Sequence, residues 1–284
     1  MTNPSPTALI TLAAAIHKRT SVRAYTGQPL SADHRAALEN AAESAPRLAG
    51  AAVRFTFVTE PAQVNRLLRG LVGNYGKVKD APALLLGIAQ QGPYAAQGLG
   101  FTMEHLVLEA TRCGIGTCWN SGMFDRRLAA EIARLAPDEN VLAVSPLGYA
   151  APGKENGLVK SLVGANKRKA LRDIVYAGQW GSDSTAYLDS HPRHRHIAEA
   201  VRWAPSAMNR QPWRLIFTAS MLVLVSVAAN SALDDGIALA HVSISAQEQG
   251  MPGTWELDID RAALRASLQL PPPAHPTGSY PLAQ

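Results

Sequence analysis

The sequence predicts an α+β protein in which one structural unit occurs twice along the chain. Segments with helical spacing alternate with short runs typical of strands, and the order of these segments in the first half returns in the second. The 284 residues are 47% hydrophobic and 17% charged, which is typical of a globular chain long enough for two modest domains.

Helix and strand patterns alternate through the first half. Helical patterns lie at residues 8–19, between Ser31 and Pro46, around Val64 and Leu67, at 94–113 and at 126–135, and strand patterns at 55–58, 83–88 and 141–144. Ser31 is a predicted N-cap because its hydroxyl can accept from the first free backbone N–H groups. Gly114 is expected to end the long helix, and residues 115–124 to form a loop.

The second half repeats this order. When residues 31–46 are placed on 190–205, the later segments match in the same order. The matching pairs include Phe55 with Leu215, Leu84 with Val223, His105 with His241, Gly114 with Gly250 and Trp119 with Trp255. We therefore predict a first half at 1–175 and a second at 186–284, joined by a linker around 150–186 and packed as an intramolecular pseudo-dimer.

Residues 205–213, with the sequence PSAMNRQPW, form the most distinctive loop. Its two prolines disfavour helix, so a rigid, non-helical loop is expected. The loop offers a hydroxyl, two side-chain amides and an indole, in Ser206, Asn209, Gln211 and Trp213. Such groups can bind a planar, polar-edged ligand by hydrogen bonds and stacking. The alternative is an ordinary loop anchored by its tryptophan.

The two halves differ in complementary ways. The first half has RTSVR at residues 19–23, where the second has GQWGS at 178–182, and it alone has the segment with Asn74 and Lys77. The second half has the proline loop where the first has residues 46–51. If the halves pack together, one composite pocket keeps all its polar groups, so we expect a single ligand site between them.

Charge and composition narrow the class of ligand. The formal net charge is +5, and the basic residues occur in short groups that suit a phosphate-bearing ligand, a weak nucleic-acid surface or simply solvent. No apolar run approaches the roughly 18 residues of a membrane span, and no basic region opens a signal peptide. We expect a cytoplasmic protein that binds a small molecule and neither nucleic acid nor a membrane.

These motifs resemble those of the FMN-dependent nitroreductase family. The matching segments are RxSxR at residues 19–23, NxxK at 74–77, the glycine-rich loop at 114–123, PLGY at 146–149, KRK at 167–169 and PSxxNxQPW at 205–213. The resemblance covers nearly the whole chain and is most specific in the first and last of these. Ordinary family members are homodimers with two FMN sites, whereas this chain is similar to the thermophile-type subgroup with fused halves.

The resemblance implies a nitroreductase-like fold with bound FMN and assigns roles by motif position. The FMN phosphate would be bound by Arg19, Thr20, Ser21 and Arg168, with Lys169 or Lys167. The ribityl chain and ring would be contacted by Arg23, Asn74, Lys77, Pro205, Ser206 and Asn209. Ser121 and Gly122 would lie near the hydride-accepting nitrogen, with backbone N–H groups aimed at it. The sequence departs from the family pattern at Ser121, Asn166 and Ala207, so the resemblance fixes neither the affinity for FMN nor the identity of the substrate.

The residues themselves suit this cofactor. Arginine forks and hydroxyls bind a phosphate dianion, and each charge-assisted hydrogen bond contributes roughly 1.5–3 kcal/mol. A cation such as Lys77 or Arg23 would stabilise negative charge that grows on a reduced flavin. The resemblance implies an enzyme, able to act as a monomer, that reduces nitroaromatics, quinones or similar acceptors with NAD(P)H in ping-pong order. The alternatives are a flavin-binding sensor or store without turnover, and a degenerate fold that binds no flavin.

Other motifs are less convincing. Residues 148–154 match GxxxxGK, but Glu155 stands where a P-loop needs Ser or Thr for magnesium, and no GxGxxG is present. Cys113 and Cys118 are too few for a disulfide framework and have no second pair at zinc spacing, so buried thiols are expected.

The histidines have structural interpretations. The group at residues 191–196 has no obvious cysteine or carboxylate partner for zinc. His105 and His241 occupy matching helix positions and are expected to be hydrogen-bonded structural residues. Trp119 either contacts the flavin or packs in the core.

Overall fold

The computed structural model describes residues 10–68, 78–153 and 167–282. It contains two four-stranded sheets, with the strand orders β1-β2-β4-β3 and β5-β6-β7-β8. Their strands are β1 (Val53–Val58), β2 (Ala83–Gln90), β3 (Gly116–Thr117), β4 (Glu139–Gly148), β5 (Val175–Ala177), β6 (Trp213–Phe217), β7 (Met221–Ser226) and β8 (His275–Pro281). Neighbouring strands are antiparallel, except that β5 runs parallel to β6. The predicted α+β class is confirmed.

Helices cover the sheets and connect them. They are α1 (Leu12–Lys18), α2 (Ala32–Ser44), α3 (Pro61–Leu67), α4 (Ala95–Arg112), α5 (Arg126–Ala133), α6 (Leu171–Ile174), α7 (Thr185–Ser190), α8 (Pro192–Arg202), α9 (Ala232–Glu248) and α10 (Arg261–Ser267). Ser31 caps α2 as predicted, since its Oγ accepts from the His34 N–H at 3.2 Å. Gly114 follows α4 with φ of +73°, a left-handed conformation that suits glycine. Among the described residues, no helix combines the length and apolar character needed to cross a membrane.

Strand β2 shows why the first sheet is covered on both faces. Leu84 and Leu86 pack with buried residues of α3 and α5, while Leu85 packs with buried residues of α2 and α4. Alternate side chains of a strand point to opposite faces, so an uninterrupted apolar run indicates a strand buried on both sides. In the second sheet, α8 and α9 cover one face and α10 packs against the other.

Helices α4 and α9 cross at two glycines. A Cβ on Gly100 would collide with the backbone of Leu233 and Ile237, and a Cβ on Gly236 would collide with the backbone of Gln97 and Phe101. Gly100 precedes Gly236 by the same number of residues as Gln97 precedes Leu233 and Phe101 precedes Ile237. The two helices therefore meet reciprocally, at a distance that only glycine allows. The end of α1 packs against the same pair.

The loops differ most from the sequence-based expectations. The proline loop contains a single 3-10 turn at Ala207–Asn209, but Met208 within it has non-helical φ and ψ, so the loop forms no regular helix, as predicted. Met208, Asn209 and Gln211 have φ of 50–54°, a left-handed backbone that a sequence without glycine does not suggest. The predicted loop 115–124 includes the two-residue strand β3.

Residues near the predicted linker belong partly to the second sheet. Strand β5 begins at Val175, the last residue assigned to the first half, and pairs in parallel with β6. Helix α6 immediately precedes it. The division into halves at 1–175 and 186–284 stays a prediction, and residues 154–166 of the linker lie outside the described residues.

Candidate functional site

The segment after α1 runs beside the short strand β3. Ser21 forms a parallel β-bridge with Thr117, and the Val22 N–H donates to the Thr117 carbonyl oxygen at 2.8 Å. Arg19 is the C-cap residue of α1, and Thr20 connects it to the bridge. The bridge therefore places the predicted phosphate-binding residues Arg19, Thr20 and Ser21 beside β3, which is part of the glycine-rich loop at residues 114–123.

Arg168, near the end of the predicted first half, contacts residues of the second half. Its Nη1 donates to the Ala204 carbonyl oxygen at 2.7 Å and to Oδ1 of Asn209 at 2.9 Å. Its guanidinium carbon lies 5.6 Å from the ring centroid of Trp203, which is within range of a cation–π interaction. The structure thus brings together Arg168 and Asn209, two residues predicted to contact one ligand.

The guanidinium groups of Arg19 and Arg168 are buried and close enough to influence each other. The pKa of Arg168 is lowered to about 10, first by burial and then by the positive charges of Arg19 and Arg202. Burial likewise lowers the pKa of Arg19, and in both cases the Glu104 carboxylate opposes the shift. Nη1 of Arg19 and Nε of Arg168 are buried without a hydrogen-bond partner among the described residues. Paired, unsatisfied guanidinium groups are suited to binding a phosphate dianion.

Glu104, on α4, was not predicted from the sequence. Its Oε2 accepts from Nε1 of Trp119 at 2.7 Å, and its Oε1 lies 2.9 Å from Nε2 of His241. The other ring nitrogen of His241 lies 2.8 Å from the Ala200 carbonyl oxygen, so Nδ1 carries a proton and donates it. His105 also has a partner, since its Nδ1 lies 2.8 Å from the Phe101 carbonyl oxygen, as expected of a structural histidine.

A signal for Glu104 exists in the sequence. A glutamate inside the apolar run of α4 is expected to be buried only if it is paired. Its partners could not be identified from sequence spacing, because His241 lies on a helix of the second half.

Several side chains of the proline loop hold the loop itself together. Trp213 is fully buried in the hydrophobic core between the second sheet and helices α8 and α9, and Gln211 is 2% exposed. Gln211 accepts from the Lys169 N–H at 2.9 Å and donates to Oδ1 of Asn209 at 3.2 Å, while its own N–H donates to Oγ of Ser206 at 2.9 Å. The interpretation of Trp213 and Gln211 as ligand-reading groups is therefore wrong, because both anchor the loop.

Asp234, in the first turn of α9, secures the loop from outside. Both of its carboxylate oxygens accept from the Ala207 N–H, at 3.1 and 3.2 Å. Burial raises the pKa of Asp234 to about 6, against the Ala207 hydrogen bond and the charge of Arg210. An aspartate in the first turn of a helix is easily interpreted as stabilising the helix dipole alone, so its sequence position does not single out Asp234.

The glycine-rich loop presents Ser121 and Gly122 on the surface. Asn120 organises it, since its Oδ1 accepts from the Met123 N–H at 2.9 Å and from the Gly122 N–H at 3.3 Å. A Cβ on Gly122 would meet nothing within 4 Å, so the space before the loop is open. The expectation that backbone N–H groups of this loop are aimed at a flavin stays a prediction.

The remaining predicted residues occupy varied environments. Pro205 is buried, Arg23 and Ser206 are half-buried, Thr20 and Lys167 are exposed, and Nζ of Lys169 donates to the Gln211 carbonyl oxygen at 3.4 Å. Asn74 and Lys77 lie outside the described residues, as do Lys154 and Glu155 of the GxxxxGK match.

Comparison with known proteins identifies the family. The chain matches the family described as "Putative TM nitroreductase" over residues 11–246. The chain belongs to this family. A putative nitroreductase from Thermotoga maritima MSB8, known from its crystal structure, is 20% identical with a TM-score of 0.61, and the match covers 98% of this chain and 96% of that one.

Other solved structures match part of the chain. A nitroreductase with bound FMN from Bacteroides fragilis NCTC 9343 is 22% identical, with 51% of this chain and 90% of that one covered at a TM-score of 0.43. A nitroreductase family protein from Clostridium novyi NT is 19% identical, with 64% and 99% covered at a TM-score of 0.44. No curated protein matches the sequence.

Membership of the nitroreductase family confirms both the resemblance stated above and the prediction of an oxidoreductase enzyme. The match to the Thermotoga maritima structure along almost the whole chain confirms the nitroreductase-like α+β fold. In the nitroreductase chain both cysteines are free thiols, and the rings of His191 and His194 stack at 5.2 Å. Among the described residues, no group of three or more His, Cys, Asp or Glu side chains could hold a metal ion.

Proposed function

We propose that this nitroreductase binds FMN and transfers electrons from NAD(P)H to nitroaromatic, quinone or similar electron-poor acceptors. The observation that carries the proposal is the pair of buried guanidinium groups of Arg19 and Arg168. Each has one N–H group without a partner among the described residues. Buried donors are rarely left unpaired, and arginine donors suit the phosphate of FMN. The residues present therefore fit the cofactor.

The binding residues come from both halves. Arg19, Thr20, Ser21, Arg168 and Lys169 would bind the phosphate, and Arg23, Asn74, Lys77, Pro205, Ser206 and Asn209 would contact the ribityl chain and ring. Asn209 already accepts from Arg168, so one side chain would connect the phosphate end to the ring end. Ser121 and Gly122 would border the hydride-accepting end, where the exposed loop leaves room for a substrate.

The cofactor supplies the redox chemistry, and the chain binds and orients. When bound, FMN would accept a hydride from NAD(P)H and then reduce the second substrate in ping-pong order. Arg23, with Lys77 of the undescribed segment, would place positive charge where negative charge develops on reduction. The flavin chemistry requires no acid–base side chain, so the exposed Ser121–Gly122 backbone would serve only to position the reacting molecules.

We also propose that the halves at 1–175 and 186–284 are two copies of one unit packed as an intramolecular pseudo-dimer. The reciprocal packing of Gly100 and Gly236 supports this, because matching positions of two equivalent helices would meet in that way. A single chain would then carry one complete site as a monomer. Free Cys113 and Cys118 fit the proposed cytoplasmic location.

Flavin absorbance of the purified protein tests the proposal. The protein is saturated with FMN, excess FMN is removed, and the blue absorption band is followed as NADH or NADPH is added without oxygen. Retained flavin that is bleached, and that returns when a nitroaromatic or quinone is added, is the expected result. Arg19→Met and Arg168→Met should each weaken FMN binding about tenfold or more, since a charge-assisted hydrogen bond is lost.

Arg127→Met is the matched control. The Arg127 side chain is 91% exposed and paired with Glu131 on the same helix, so FMN binding should be unchanged. Retained flavin that neither nucleotide bleaches would identify a non-catalytic flavin-binding protein. Failure of the wild-type protein to retain FMN would overturn the composite site altogether.

A further inference from the structure

Glu104 is a buried carboxylate that contacts both halves of the chain. Its side chain and that of His241 are each 0% exposed, and Oε1 lies 2.9 Å from Nε2 of the histidine. Oε2 accepts from Nε1 of Trp119 at 2.7 Å. A buried acid is costly unless it is paired, yet no step of the proposed reaction uses this one.

Glu104 holds the middle of the glycine-rich loop (residues 114–123) through its hydrogen bond with the Trp119 indole. Trp119 directly precedes Asn120, whose N–H donates to the Val144 carbonyl oxygen at 3.0 Å and whose side chain organises the next three residues. If the indole loses its acceptor, the loop loses its tie to α4. The residues predicted to border the flavin ring belong to this loop.

We propose that Glu104 is a positioning residue of the flavin site, whose hydrogen bonds with Trp119 and His241 hold the glycine-rich loop against α4. The inference rests on the proposed FMN binding. It assigns Glu104 an effect on the ring end of the cofactor and none on its phosphate.

Substitution by glutamine keeps these hydrogen bonds, and substitution by alanine removes them. In Glu104→Gln the amide oxygen still accepts from Trp119, and the amide N–H donates to Nε2 of a neutral His241 whose Nδ1 continues to donate to Ala200. Glu104→Ala leaves the Trp119 indole without its acceptor. Glu109→Gln, on the same helix and paired with Arg112, is the control for loss of a carboxylate elsewhere on α4.

The experiment compares three ligands that differ in what they contain. FMN has both phosphate and ring, riboflavin has the ring without the phosphate, and inorganic phosphate has only the anion. Affinities for the two flavins are measured by quenching of flavin fluorescence, and phosphate binding by the rise in melting temperature. Wild type, Glu104→Gln, Glu104→Ala and Glu109→Gln are titrated with each.

Glu104→Gln should bind both flavins with wild-type affinity, because its hydrogen bonds remain. Glu104→Ala should bind riboflavin about tenfold more weakly, with the rise in melting temperature on phosphate binding unchanged. Glu109→Gln should match wild type with all three ligands.

Other outcomes overturn the inference. Wild-type riboflavin affinity in Glu104→Ala would do so, and so would a loss in Glu104→Gln as large as that in Glu104→Ala. If Glu104→Ala does not fold, Trp119→Phe, which deletes only the indole donor, must weaken riboflavin binding in its place. If wild type binds neither flavin, the proposed function fails; if wild type and Glu104→Ala bind flavin equally well, the proposed function stands and only this inference fails.

Discussion

Gly100 and Gly236 lie opposite each other where α4 crosses α9, and each faces the backbone of the other helix. A Cβ on Gly100 would collide with the Leu233 carbonyl oxygen, and a Cβ on Gly236 with that of Gln97. This close crossing joins α4, which packs on the first sheet, to α9, which packs on the second.

The crossing predicts that Gly100→Ala and Gly236→Ala are strongly destabilising. In an exposed helix interior alanine would stabilise by up to about 1 kcal/mol relative to glycine. Here the added carbon meets backbone that side-chain rotation cannot relieve, so each variant should lose about 3 kcal/mol of unfolding free energy or more. Urea unfolding measures this loss.

Gly92→Ala is the matched control for the crossing. Gly92 is exposed between β2 and α4, has nothing within 4 Å of a Cβ, and should change stability by no more than about 0.5 kcal/mol. Near wild-type stability of Gly100→Ala would mean that the helices separate easily, contrary to the reciprocal packing.

Local features of the fold were predictable from the sequence, and contacts between distant segments were not. Ser31 and Gly114 act within one turn of their helices, so residue type alone indicates their roles. Glu104 escaped prediction because its partner His241 lies 137 residues away. Trp213 was misinterpreted because an indole in a loop can either face a ligand or enter the core, and only the packing of β6 decides.

The candidate site likewise combines residues that the sequence predicted with tertiary contacts that it did not. Arg19 and Arg168 were predicted from motif resemblance, and the positive charge of Arg19 helps to lower the pKa of Arg168. The left-handed backbone of Met208 and Asn209, and the Asp234 carboxylate that holds it, were not predicted, because no glycine marks the turn. Such a conformation is maintained by tertiary contacts rather than by local preference.

Asp235 predicts a pH-dependent stability. Its pKa is raised from 3.8 to about 7, chiefly by burial and against hydrogen bonds from Ser231 and Ser226. The folded state therefore holds the proton more tightly than the unfolded state, so the stability that this proton confers is full below about pH 4 and is lost as the pH rises to about 7. Relative to Asp235→Asn, wild type should lose about 2–4 kcal/mol across that interval.

Urea unfolding at several pH values measures this difference. Other titrating groups are common to both proteins and cancel in the comparison. Asp258→Asn, which removes an exposed carboxylate, should show a pH profile parallel to that of wild type. A wild-type profile that runs parallel to that of Asp235→Asn would show that burial does not perturb Asp235.

Asp234 predicts a pH dependence of FMN binding. The ionised carboxylate is the better acceptor for the Ala207 N–H, and its pKa is about 6. FMN affinity should therefore fall as the pH drops through about 6, because the proline loop loosens when the carboxylate is protonated. Asp234→Ala should bind FMN about tenfold more weakly at neutral pH, since a hydrogen bond to a charged group is lost.

Asp234→Asn tests whether the charge or the acceptor matters. The asparagine oxygen still accepts from Ala207, so most of the FMN affinity should remain. Protonation of the FMN phosphate, whose second pKa is about 6, weakens binding in both proteins, so only the additional fall in wild type should disappear in Asp234→Asn. If the two proteins lose affinity to the same extent on acidification, Asp234 does not contribute. Flavin fluorescence titration at several pH values provides both results.

Asn209 predicts separable backbone and side-chain effects in the proline loop. Its φ is +54°, its Oδ1 accepts from Arg168 at 2.9 Å, and its Nδ2 donates to the Lys167 carbonyl oxygen at 3.0 Å. Asn209→Ala loses these hydrogen bonds and forces a less tolerant residue into the left-handed region, which together should cost about 2–4 kcal/mol of stability.

Asn209→Gly isolates the side chain, because glycine adopts this backbone without strain. Its stability should lie between those of wild type and Asn209→Ala, about 1 kcal/mol or more above the latter. Both variants should weaken FMN binding to a similar extent, about tenfold, because each leaves the Arg168 guanidinium without the acceptor that orients it. Urea unfolding and FMN titration on the same samples give the two quantities. Equal stability of the glycine and alanine variants would mean that the left-handed turn relaxes, and that the side chain alone holds the loop.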